Sequence, residues 1–189
     1  AAGVGDGRDL ACLTASANYL TSDANGAQQD ALVAPVSFGA PPLALERVSF
    51  DAAGAQVAVS NNAALSRDGR FAVFDTTAGQ VILRDREAGT SRIVSLRSDG
   101  SPATGASRPA ISADGRFVAF MSADAAIVAG DTNALPDVFV IDTQTNAVER
   151  VSVNDDDSEA AALVLAAVPP VLSTDGALVA YLGRGVTTS

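Results

Sequence analysis

Two stretches of the sequence gather the residue types from which a binding site could be built. Asp131-Thr132-Asn133 is followed by Asp137, and Asp23-Ala24-Asn25 is followed by Asp30. Each supplies carboxylate and amide oxygens, the hard donors that Ca²⁺ takes. Neither is an EF-hand: "DTNALPD" has no Gly at its sixth place and no distant bidentate Glu. The same side chains also suit a second role, because Asp and Asn cap long loops by accepting backbone amides. Calcium is therefore an open expectation, with Asp131, Asn133, Asp137, Asp23, Asn25 and Asp30 as its candidate ligands.

Catalytic chemistry has less to work with. The chain contains no His, so neither a Ser–His–Asp triad nor a His-ligated zinc site can be assembled from it. Ser66 and Ser112 recur in "SRDGR" and "SADGR" and read as turn residues rather than nucleophiles. No spacing in the sequence sets two carboxylates face to face. Cys12 has no partner for a disulfide, and a structural place on a strand is expected for it. Arg8, Arg70 and Arg116 follow equivalent turns, and each is expected to pair with an Asp of its own or the next unit. The acidic run 154–159 reads as a solvated connection. We expect no enzyme activity from these residues.

With 12 basic and 22 acidic residues the net charge is -10, and every basic residue is Arg. Phosphate backbones need clustered positive charge, so nucleic acid is excluded as a partner class. Apolar residues make up 48% but aromatics only 5%, which calls for a core of Val, Leu, Ala and Ile with a few Phe. The longest apolar run, 160–168, falls well short of a membrane span, so no transmembrane segment is expected.

The elements that must position these residues repeat. An Asp-Gly turn followed by an apolar strand occurs in "GDGRDLACL", "SRDGRFAVF", "SADGRFVAF" and "STDGALVAY", the turns being 62, 46 and 61 residues apart. Residues 6–26 also align with 114–134 without a gap. Three units end in an Arg-containing strand: Arg47-Val48-Ser49, Arg92-Ile93-Val94-Ser95 and Arg150-Val151-Ser152. Asp-Gly suits a tight hairpin because Gly accepts positive φ and Asp bonds its own backbone. Nearly continuous apolar strands such as Phe117-Val118-Ala119-Phe120 indicate sheets covered on both faces.

The pattern "S-x-D-G-R-F-V-A-F … G-D-T-N … D-V-F-V-x-D … R-V-S" resembles the TolB-like (WD40-like) propeller repeats of bacterial envelope proteins. The first copy departs from it at Asp9 and the last at Ala177. The resemblance implies an all-β fold of four-stranded antiparallel blades, with approximate limits 1–50, 51–96, 97–153 and 154–189. The chain starts and stops within blades, and we expect it to be part of a larger propeller rather than a short closed ring. The resemblance further implies a non-catalytic interaction or scaffolding module, periplasmic or extracellular, whose partner is a protein or a subunit of a larger assembly. The alternative it allows is a propeller accessory to a hydrolase or peptidase with catalytic residues outside this segment. The long loops of the first and third blades are expected on one rim, separated by the tight "DTTAGQ" connection of the second.

Overall fold

The computed structural model describes residues 9–14, 24, 28–35, 45–133, 135–154, 163–164 and 168–184, and every regular element among them is a β-strand. β1 (Asp9–Thr14), β2 (Asp30–Pro35) and β3 (Glu46–Arg47) form the first sheet in that order. β4 (Val59–Leu65), β5 (Phe71–Thr76), β6 (Val81–Asp85) and β7 (Thr90–Ile93) form the second. β8 (Ser107–Ile111), β9 (Phe117–Ser122), β10 (Asp137–Asp142) and β11 (Val148–Arg150) form the third. In the last unit β12 (Leu163–Val164) pairs with β15 (Gly183–Arg184), and β13 (Val171–Leu172) with β14 (Val179–Ala180). All pairings are antiparallel. Blades 2 and 3 are thus complete four-stranded meanders. Blade 1 shows the second, third and fourth strands of the repeat, and blade 4 the first and second, each interrupted.

The apolar runs do not alternate because both faces of each sheet are packed. Ala72, Val73 and Phe74 are consecutive on β5 and all buried, as are Val118, Ala119 and Phe120 on β9. Successive side chains on a strand leave by opposite faces. Accordingly Val73 enters the core shared with Val118, Phe120 and Phe139 of blade 3, while Ala72 and Phe74 enter the core shared with Val33 and Val48 of blade 1. Phe120 stacks on Phe139 with ring centroids 5.7 Å apart. Burial of each such ring contributes roughly 1.5–3 kcal/mol.

The Asp-Gly turns do more than close hairpins. The Ser66 and Ser112 hydroxyls donate to Asp68 and Asp114 Oδ1 at 2.6 Å and accept the Phe71 and Phe117 amides at 2.9 Å; Ser173 does the same with Asp175 and Leu178. Gly115 has φ 76° and faces the Phe71 ring of the preceding blade, where an added Cβ would come within 2.2 Å of Cδ2; Gly176 meets Phe117 in the same way. Beside the turns, the Arg67 amide donates to Ala113 O and the Ala113 amide to Thr174 O. The turns of blades 2, 3 and 4 therefore share one rim. The connections from second to third strands lie at the opposite end.

Arg47, Arg92 and Arg150 all lie on strands that end their units, but not in one register. Leu32 pairs with Arg47, Phe139 with Arg150, and Ile82 with Ile93. The blade 2 counterpart of Arg47 and Arg150 is hence Ile93. Arg92 lies on the other face, where it donates to Asn146 Oδ1 and Thr143 O of blade 3. The extra residue between Arg92 and Ser95 produces the shift, since Ser49, Ser95 and Ser152 are the residues held in common.

Candidate functional site

The candidate site is the rim opposite the Asp-Gly turns, where the second-to-third-strand loops meet the connectors between blades. Its anchor is a serine after each fourth strand. Ser95 and Ser152 are buried and accept the Val81 and Val138 amides at 2.9 and 3.0 Å. In blades 1 and 3 the serine also donates to the first residue of the third strand: Ser49 to Asp30 at 3.2 Å, and Ser152 to Asp137. These acids face a fourth-strand arginine. Arg47 Nη2 lies 3.0 Å from Asp30, and Arg150 Nη1 lies 3.8 Å from both Asp131 and Asp137. The same arginines hold the long loops: Arg47 shares Gln56 Oε1 with the Ala24 amide, and Arg150 donates to Gly130 O at 3.3 Å.

The candidate calcium ligands are therefore placed as follows. Asp131 and Asp137 converge on one guanidinium, Asp30 on another, and Asn133 caps its own loop by accepting the Leu135 amide at 2.7 Å. Asp23 and Asn25 lie outside the described residues. Among the described residues no group of three or more His, Cys, Asp or Glu side chains is placed to hold a metal ion.

Two carboxylates absent from the sequence reading stand out. Asp124 receives the Arg97 guanidinium at 2.8 Å, the Thr104 amide at 2.7 Å and hydroxyl at 3.0 Å, and the Ala126 amide at 3.1 Å. Burial alone would raise it, but the Thr104 and Ala126 amides and the guanidinium outweigh burial and hold it at about 2. Asp75, buried on β5, accepts the amides of Asn61 and Asn62 at the β4 bulge and of Arg108 from blade 3. Its only sequence signal was an acid ending the apolar run "FAVFD". On the other rim Arg70 grips Asp85 and Arg116 grips Asp142 at 2.8 and 2.7 Å; of the own-blade or next-blade partner expected for each, both take the own-blade one. These guanidiniums hold both carboxyls below the usual range. Arg8 lies outside the described residues, as does 155–159.

Blade 2 is built differently at the site. Gln80 and Ile93 stand where its neighbours have the Asp–Arg pair, and Thr76 to Gln80 is a tight turn with Gly79 at φ 74°. Beside it lies a groove of about 520 Å³ between blades 1 and 2, lined by Asp51, Ala52, Ala58, Ala78, Ile82 and Ile93 among others.

Stacked antiparallel blades joined turn to turn, with loops and connectors gathered on one rim, define a β-propeller. Its form is TolB-like. The chain is similar in structure to TolB from Acinetobacter baumannii, with a TM-score of 0.58, 14% identity and 99% of this chain covered. A TolB structure from Agrobacterium tumefaciens gives 0.55, 15% and 96%, and the tricorn protease 0.52, 16% and 96%. The match takes in 38% and 52% of the two TolB chains and 15% of the tricorn chain. No family model and no curated protein matches the sequence. No described helix is long and apolar enough to cross a membrane.

Proposed function

We propose that this chain is a non-catalytic protein-interaction module that works in the bacterial periplasm or outside the cell. The observation that carries the reading is the use of its acids. Asp30, Asp75, Asp85, Asp124, Asp137 and Asp142 are each engaged by arginines or backbone amides, and the chain has no His to serve as a base. What remains available is surface: a rim of loops and a groove. Likeness to TolB structures supports the compartment. Likeness to the tricorn protease favours a second reading, a propeller that serves a peptidase whose catalytic residues lie elsewhere.

The test is to assay the purified chain with ester, peptide and glycoside substrates, and to cross-link it through its rim in periplasmic extract. The expected outcome is no turnover and a discrete cross-linked protein. Turnover abolished by one Asp or Ser substitution within the chain would overturn the proposal. Cross-linking solely to a peptidase would favour the second reading.

A further inference from the structure

The groove between blades 1 and 2 has an internal template. The connectors entering blades 2 and 3 follow the same backbone course: Asp51 N to Ala55 O matches Arg97 N to Ser101 O, Gly54 N to Asp51 O matches Gly100 N to Arg97 O, and Val57 N to Ser49 O matches Ala103 N to Ser95 O. Asp51, Ala52 and Ala58 are therefore the counterparts of Arg97, Ser98 and Thr104. In blade 3 those three residues hold the loop after β9. Arg97 and Thr104 bind the Asp124 carboxylate, the Ser98 amide donates to Ala126 O at 2.9 Å, and Ile127 is buried in the core with Ala103. Blade 2 has no such loop, and the counterparts line an open groove instead.

We propose that this groove is the docking site for a partner-protein loop carrying an aliphatic residue three positions after a basic one. The proposal rests on reading the chain as an interaction module. Ile82, Ile93 and Val57 offer the apolar bed that a residue in the place of Ile127 would fill. Ala52 offers the amide position that Ser98 uses for a carbonyl. The charge is inverted: where blade 3 sets Arg97 to receive an acid, the groove has Asp51, whose Oδ1 accepts the Ala53 and Ala55 amides of its own turn while the carboxylate keeps its negative charge, in a chain of net charge -10. A loop bearing Asp at that place is repelled, whereas one bearing Arg or Lys is attracted. A half-exposed charge pair contributes up to about 1 kcal/mol, which is roughly five-fold in affinity.

The probes are two synthetic peptides with the sequence of residues 121–130, one unchanged and one with Asp124→Arg, titrated into the isotope-labelled full chain. The Arg peptide should shift the Ala52, Ala78 and Ile93 amides saturably and bind about five-fold more tightly than the Asp peptide. Asp51→Arg should reverse that order; Arg97 occupies the same turn in the next blade, and the thermal midpoint of the variant shows whether the turn survives loss of the bonds from the Ala53 and Ala55 amides to Asp51. Ala78→Arg, at an exposed position on the groove's lip, should weaken the Arg peptide. Equal binding of the two peptides to both the parent and Asp51→Arg, shifts confined to other surfaces, or no saturable shift up to ~5 mM would overturn the assignment. If the groove fails in this way while a protein still cross-links to the rim, the interaction-module reading stands. Hydrolytic turnover would defeat that reading whatever the peptides do.

Discussion

Asp124 is held by two backbone amides, a hydroxyl and a guanidinium, and its side chain is 7% exposed. Its carboxyl sits at about 2 when folded, against an ordinary 3.8, so the folded state binds its proton less readily than the unfolded one. The resulting stabilisation is fully present above the unfolded value, near pH 4, and is lost as pH falls through about 2. It amounts to about 2 kcal/mol. Asp124→Asn should thus be less stable than the parent by about that amount at pH 6, with the difference shrinking toward zero near pH 2. Urea unfolding of both proteins across that range is the measurement. A difference that stays constant with pH would show that the carboxylate charge is not what holds this loop.

At the scale of elements, the fourth strand sets what its blade's long loop can do. Arg150 stands between Asp131 and Asp137, whose side chains are 0% and 2% exposed. Arg150→Gln leaves two buried carboxylates without their guanidinium and should destabilise the chain by about 3–5 kcal/mol. The same variant decides the calcium question. If the guanidinium is the resident cation, ~1 mM Ca²⁺ should leave the thermal midpoint of the parent unchanged and raise that of Arg150→Gln. A rise in the parent would restore a calcium site at these loops. The turn chemistry was readable in the sequence, because Ser, Asp, Gly and the following Phe act within a few residues of one another. The pairing of Asp137 with Arg150 and the face from which Arg92 leaves its strand were not. Both depend on which face of a strand a residue leaves by, and a one-residue shift reverses that face. Asp124 and the groove were hidden for a related reason. Their meaning lies in the comparison of neighbouring connectors, which share backbone hydrogen bonds but little sequence.

Across the whole molecule, each blade is stabilised by the one that follows it, as expected when units contact only their neighbours. Gly115 covers Phe71, and Gly176 covers Phe117. On blade 4 the corresponding residue, Leu178, is 72% exposed, and Val171 and Leu182 are 62% and 51% exposed. Leu182 occupies the place that Met121 holds in blade 3, and Met121 is 2% exposed, within a cluster that includes Val179 and Tyr181 of blade 4. Met121 is covered by Val138 and Val151 of its own blade and by the blade that follows, whereas among the described residues Leu182 has neither cover. Met121→Glu buries a charge between blades and should cost more than about 3 kcal/mol. Leu182→Glu places the same charge in water and should change stability by less than about 0.5 kcal/mol. Chemical denaturation of the two variants measures both. Similar losses would mean that blade 4 is covered in solution, and that stability along the chain does not follow the stacking order described.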